Sequence, residues 1–248
     1  MSCSTSAGPY FEGGGLKCGV RAMKGAIQNI SINNNSLEIE TIGDMPPKGI
    51  CGSGIIDIIS ELLKNKIIDR SGRIKEIGIC RGGFQTLPYS RDSDGVKEIV
   101  LVEAKDSATL KDITIDENDI KNLIHSKGAI YTGIEVLLKE AGFKKSDIKH
   151  VFIAGGLGTA LNIRSAINIG LLPDLAEKSF VFLGNTSVSG AKMCLLSSEA
   201  MDKIQSIANK ITYLDLSTNS SFMNNYSASL FLPHTDIELF PSVKKILE

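Results

Sequence analysis

A pair of glycines set directly behind a short apolar run is the most informative chemical feature of this sequence. Val151-Phe152-Ile153-Ala154 reads as a buried strand, and Gly155-Gly156-Leu157-Gly158 follows it without a break. Such a strand end delivers bare backbone to a sheet edge, where a flat ligand such as a nucleotide base or ribose can approach without meeting a Cβ. A tight turn with no ligand explains the same residues, and the spacing alone leaves both readings open. The motif is not a Rossmann fingerprint, because no G-x-G-x-x-G opens a helix with an acidic residue downstream. There is no G-x-x-x-x-G-K-S/T, so a P-loop is excluded.

Two further groups have types suited to ligand contact. Lys127 and Gly128 lie inside an apolar-periodic stretch, where a glycine costs about 1 kcal/mol relative to alanine and so calls for a reason. Close packing of another helix is one reason, for Gly128 as for Gly133. A helix face opened beside a ligand, with Lys127 as a cation near a base or phosphate, is the other. Glu12 sits between Phe11 and the triplet Gly13-Gly14-Gly15, with Gly8-Pro9 before it and Arg21 after it. A carboxylate and a guanidinium there suit acid–base, metal-water or phosphate contacts, and a solvated ion pair equally well.

The cysteines and histidines offer less. Cys3, Cys18, Cys51, Cys80 and Cys194 are odd in number and scattered, with no C-x-x-C pair. They fit reduced thiols rather than a disulfide framework, and they provide no sequence-adjacent ligands for zinc or for an iron–sulfur cluster. His125, His150 and His234 show no metal-ligand spacing.

The elements that must position these groups alternate between strand and helix patterns. Ala26–Ile32 and Leu37–Ile42 alternate about an Asn33-Asn34-Asn35 turn, predicting a β-hairpin. Ile55, Ile58, Ile59, Leu62 and Leu63 fall on one helix face behind Gly49-Ile50-Cys51-Gly52-Ser53-Gly54, a stretch read as a structural turn before a buried helix. The turn-rich segment from Asp69 to Lys111 reads as an antiparallel β-excursion, a candidate subdomain. A second helix is predicted through Ile120, Leu123, Ile124, Tyr131, Ile134 and Leu138, with Thr114 and Glu117 as its capping box and Gly142 as its stop. Phe180–Leu183 reads as a strand leading through Gly184-Asn185-Thr186 into a helix containing Gly190-Ala191. Another helix follows from Ala200, and then a strand over Ile211–Leu216. The pattern is α/β.

The 248 residues are 42% hydrophobic and 22% charged, enough apolar material for a substantial core. No apolar run approaches the roughly 20 residues of a membrane span, and the first residues carry no signal pattern, so the expectation is a cytoplasmic protein off the membrane. Twenty-seven Lys+Arg against 28 Asp+Glu give a net charge of −1, which argues against a nucleic-acid partner.

Read together, seven blocks carry a resemblance. In order they are CSTSAGPYFEGGGLKCGVRAMKGAI, GICGSGIIDIISELL, HSKGAIYTGIEVLL, VFIAGGLGTALN, IGLLPD, GNTSVSGA and SLFLPHTDIELFPSV. The chain resembles, over nearly its whole length, the C-terminal domain of the reductive activators of corrinoid proteins. That resemblance implies an α/β fold of the acetate and sugar kinase, heat-shock chaperone and actin superfamily: one actin-like ATPase lobe, its ribonuclease H-like sheet flanked by helices, over residues 1–248. It further implies ATP with Mg²⁺ as cofactor and a corrinoid protein as partner, with Co(II) reduced to Co(I) to restore a methyltransferase system. By position in such a lobe, Gly155, Gly156 and Gly158 would meet the adenosine, Lys127 and Gly128 would flank the adenine, and Gly8 and Glu12 would lie toward the phosphates.

The resemblance also marks departures. The family's [2Fe–2S] domain, first lobe and phosphate-binding loops have no counterpart among these residues, so no iron–sulfur cluster is expected in this chain. The expectation is a truncated domain or the product of a split gene, partnered by an N-terminal lobe or iron–sulfur subunit and forming a homodimer. The alternative is a non-catalytic module that docks a corrinoid protein or a sister subunit. A fragment of a benzoyl- or hydroxyacyl-CoA dehydratase activator is a third reading, weakened by the missing cysteine motif for a shared cluster.

Overall fold

A computed structural model describes residues 1–33, 36–75, 88–156 and 160–248. Its first sheet is the expected hairpin, β1 (Ala26–Asn33) and β2 (Ser36–Thr41), with Ile30 opposite Ile39 and Ile32 opposite Leu37. The two-residue strand β3 (Gly49–Ile50) joins β1 in parallel. Helix α1 (Gly52–Lys64) follows at once and is buried on nearly every side, with Ile55, Ile56, Ile58, Ile59, Leu62 and Leu63 in the core. Gly54 makes this possible: a Cβ there would lie 2.2 Å from the carbonyl oxygen of Ile27, so only glycine lets the helix lie directly on β1.

The second sheet is antiparallel, in the order β4 (Tyr89–Ser93), β5 (Val96–Val102), β6 (Ile113–Asp116). It realises the β-rich excursion but runs past Lys111, because β6 leads straight into the long helix α2 (Glu117–Glu140). Glu98 on β5 is 1% exposed and lies between Lys17 and Arg91, whose Nε is 2.7 Å away. Burial alone would raise the pKa of its carboxyl, but hydrogen bonds from Lys17, Arg91 and Thr114 outweigh that and pull it below the ordinary value.

The capping box of α2 differs from the expected one. Asp116 accepts from the Asp119 amide at 2.9 Å and the Asp119 side chain accepts from the Asp116 amide. Glu117 instead turns outward to accept from the Ile74 amide at 2.9 Å. The helix ends at Ala141, and Gly142, with φ 74°, takes the left-handed turn.

Strands β7 (Val151–Ala154) and β8 (Phe180–Gly184) form a parallel pair, with α3 (Ile163–Asn168) on the crossover. Helices α4 (Thr186–Leu196) and α5 (Ser198–Ala208) follow; neither has a buried residue. They expose Val188, Met193, Leu195, Leu196, Met201 and Ile207.

The strand expected over Ile211–Leu216 does not form. Only Tyr213 bridges, to Ser2, because the N-terminal stretch turns away at Thr5–Ala7 and supplies no further pairing residues. Short helices α6 (Phe222–Ala228) and α7 (Pro241–Leu247) close the chain. One hydrophobic core joins α1, the inner faces of β5 and β6, α2, residues 166–172 and Leu232, Phe240 and Val243. No helix among the described residues is long and apolar enough to cross a membrane.

Candidate functional site

The end of β7, the first turn of α1 and the glycine-rich N-terminal stretch enclose a cleft of about 530 Å³. Gly155 and Gly156 form one wall, Cys51, Gly52 and Ser53 a second, and Glu12 and Arg21 a third. Each wall has a local cause. The Gly155 amide donates to the Gly184 carbonyl at 2.9 Å, which holds the ends of β7 and β8 together as the chain leaves the sheet. Glu12 ends a short 3-10 turn that is anchored when Tyr10, buried, donates its hydroxyl to the Asp119 carbonyl. Gly13 (φ 83°) and Gly19 then fold against each other so closely that a Cβ on Gly13 would lie 2.4 Å from the Val20 oxygen.

Two kinds of glycine bear on the cleft and its frame. At Gly13, Gly19, Gly54 and Gly170, a Cβ would strike the chain's own backbone within 2.4 Å. At Gly155, Gly156 and Gly184, a Cβ would meet nothing within 4 Å among the described residues. Gly155 (φ 108°) and Gly184 (φ 67°) have backbone conformations that favour glycine, whereas Gly156 lacks that conformation and, among the described residues, no atom lies within 4 Å of its Cβ position. Among the described residues nothing fills the space at its Cβ position, and the residue lines the cleft.

Helix α1 supplies the opposite wall. Cys51 occupies its N-cap without a capping bond: its thiol donates to the Ile27 carbonyl at 3.2 Å and lies 3.4 Å from the Ser53 hydroxyl. No side chain caps this first turn, Gly52 and Ser53 line the cleft, and the helix dipole is positive at that end. Together the glycine platform and the uncapped helix end suit a flat, uncharged moiety joined to an anionic one. A nucleotide fits this description. Among the described residues, no three His, Cys, Asp or Glu side chains converge to hold a metal ion.

The structure thus brings Gly155, Gly156 and Glu12 together but separates the other expected site residues. Gly158 lies outside the described residues, as does Cys80. Gly8 (φ 63°) forms a turn outside the cleft lining. Lys127 is wholly buried, and its ammonium donates to the carbonyls of Phe231 and Pro233, so it has no face toward the cleft. Desolvation holds its pKa well below the ordinary lysine value, opposed by the Glu135 charge. Gly128 packs against α6, with a Cβ position 3.3 Å from Leu230 and from the Ser229 oxygen, and Gly133 packs against Thr5. Both glycines in α2 are accounted for by close packing. Cys51, Gly52 and Ser53 are the site residues that the sequence reading assigned to structure alone. Their signal was present: glycines flanking the start of a helix are a recurring anion-site pattern.

Comparison with known proteins agrees with this architecture. Residues 1–244 match the family model described as the C-terminal domain of RACo, the ASKHA domain. Among curated proteins, the chain is 32% identical over 223 residues to the corrinoid activation enzyme RamQ of Eubacterium limosum, covering 90% of this chain and 38% of that protein. It is 26% identical over 254 residues to the [Co(II) methylated amine-specific corrinoid protein] reductase of Methanosarcina barkeri, covering 93% and 42%. A solved reductive activator for corrinoid, iron–sulfur protein superposes with a TM-score of 0.87 at 43% identity, over 97% of this chain and 38% of that one. The chain thus spans about two-fifths of the length of these relatives. Its fold is actin-like, and the chain belongs to the family of the C-terminal, ASKHA-type domain of the reductive activators of corrinoid proteins.

Proposed function

We propose that this chain is the nucleotide-holding part of an ATP-dependent reductive activator that returns a corrinoid protein from Co(II) to Co(I). The supporting observation is the cleft at the end of β7, where Gly155 and Gly156 form one wall and no described residue fills the space at the Gly156 Cβ position. Gly155 and Gly156 offer a backbone platform to the adenosine, and the first turn of α1 offers amide hydrogens to the phosphates. Magnesium would arrive with the nucleotide, which supplies charge neutralisation at the phosphates when bound.

The chain's own residues bind and orient, and these contacts are equal in ground and transition states. Such uniform binding does not accelerate hydrolysis. Turnover needs groups that grip the transferring phosphate from the opposite side, contributed by the remainder of the activator. The experiment is reconstitution. The chain alone should bind ADP without hydrolysing ATP faster than buffer. Mixed with the N-terminal part of a full-length relative, it should restore ATP-dependent reduction of a Co(II) corrinoid protein. Failure of the mixture, with both parts folded and the intact relative active, would overturn the reading.

A docking role is the second reading, and the apolar side chains exposed along α4 and α5 favour it. In that reading these helices seat another part of the activator, and the nucleotide serves only to fix their position.

A further inference from the structure

His234 lies at the start of the segment that leads to α7, only 5% exposed, and its Nδ1 accepts from the Asp236 amide at 3.0 Å. That bond fixes the tautomer: Nδ1 carries no proton, so the one proton of the neutral ring sits on Nε2. Nε2 is itself sealed from solvent, with no partner among the described residues. The Asp236 bond matters further along the chain. The Asp236 carboxylate accepts from the Glu238 amide at 3.0 Å and so starts the 3-10 turn Ile237–Leu239. That turn delivers Phe240, wholly buried, to the ring of Tyr131 with centroids 5.3 Å apart, and the His234 ring lies 5.7 Å from the same tyrosine. The Leu239 carbonyl accepts from Lys145 at 2.6 Å, and Asp174 accepts from the Ser242 amide at 2.8 Å in the first turn of α7.

The residues before Asp236 are held differently. Arg70 donates to the carbonyls of Leu232, His234 and Thr235, and Lys127 to those of Phe231 and Pro233. None of these bonds involves the imidazole, so they survive a change in its charge. The Asp236 bond does not. A second proton can enter only at Nδ1, where it would face the Asp236 amide hydrogen, N–H against N–H, and the 3.0 Å contact must open. Facing the ring are Lys127 and Tyr131 of α2, Arg70 of the turn after α1, and Asp236 of its own segment. Burial is the main effect opposing a charge there, Lys127 and Arg70 add to it, and Asp236 favours the charge; the balance holds the pKa below the ordinary histidine value.

We propose that His234 is an acid-sensitive latch on the C-terminal segment: the neutral ring holds residues 236–247 on the core, and a proton taken from solvent at Nδ1 releases them, with the chain hinging between Thr235 and Asp236. The released ring binds that proton more readily than the docked one. Docking is therefore complete above the free-imidazole range, about pH 6.5, and is lost progressively below it.

The test combines imidazole and amide NMR on the full chain. At pH 7.5 the ring nitrogens of His234 should report the Nε2–H tautomer. On acidification, the amide protection factors of residues 238–244 should fall about tenfold per pH unit below the free-imidazole range, until the docked ring itself protonates. That fall should be steeper than the one at residues 55–62 of α1. In His234→Asn the side-chain oxygen can still accept from the Asp236 amide but takes up no proton in this range, so the steeper fall should vanish. Should that variant fail to fold, the parent alone decides. An Nδ1–H tautomer at pH 7.5, or exchange at residues 238–244 that follows α1 throughout, would overturn the proposal, as would an equal acid response in folded His234→Asn.

Discussion

The ammonium of Lys127, at the centre of α2, donates to the carbonyl oxygen of Pro233 at 2.6 Å, 106 residues further along the chain. It donates to the Phe231 carbonyl as well, while Arg70 donates to the carbonyls of Leu232, His234 and Thr235. Two basic side chains thus pin the Leu230–Thr235 segment against the core through their hydrogen bonds, where Leu232 is wholly buried. The first prediction follows. Lys127→Met fills similar volume but leaves two carbonyls without donors, so it should cost about 3 kcal/mol in denaturant unfolding. Nucleotide affinity of the folded fraction should not change. A loss of affinity without a loss of stability would return Lys127 to the ligand.

Gly156→Val tests the platform. Among the described residues nothing lies within 4 Å of the Cβ position and the backbone is not left-handed, so the thermal midpoint should stay within a degree or two of the parent's. ADP affinity, read by calorimetry, should fall at least about tenfold, the effect of placing a side chain where a ligand packs. Unchanged affinity would make the glycines a plain turn.

The pH dependence of stability should divide between two carboxyls. Burial lifts the pKa of Asp57 from 3.8 to about 6, so the folded state holds that proton more tightly than the unfolded chain. Its contribution favours the fold below about pH 4 and is lost as the pH rises through about 6. Asp57→Asn should remove that loss and stabilise the chain at pH 7 by about 1–3 kcal/mol. Urea unfolding of both proteins at pH 4.5 and 7 checks the sign. A variant deficit that grows toward pH 7 would contradict it.

Glu98 has the opposite sign. Its lowered pKa means that its contribution is present above the ordinary carboxylate range and lost as the pH falls through the folded value. Glu98→Gln should therefore destabilise the chain most near neutral pH, and the difference from the parent should shrink in acid. A difference independent of pH would show that shape, not charge, matters there.

Much of the frame was legible because local pattern and packing agree. The alternation of Ala26–Ile32 and Leu37–Ile42 set the hairpin, and the spacing of Ile55, Ile59 and Leu62 set α1. The exchange of Thr114 and Glu117 for Asp116 and Asp119 as capping box was not legible, because either pair has the right spacing and only the end of β6 decides between them. The alternation of Ile211–Leu216 resembles a strand, but a strand needs a partner, and Ser2 alone supplies one. Gly155-Gly156 and Glu12 line one cleft and were legible as a group because glycine runs mark backbone exposure directly. Lys127 was misplaced because type and spacing do not reveal that a lysine's partners are carbonyls a hundred residues away. Cys51–Ser53 were passed over because the first turn of a helix reads the same whether it faces core or cleft.

The most direct measurement is an ADP titration of the isolated chain followed at the amide resonances of Gly52, Ser53, Gly155 and Gly156. The account predicts saturable shifts at all four, with no ATP hydrolysis above buffer. Saturation with shifts confined elsewhere, or none at millimolar ADP on folded protein, would contradict it.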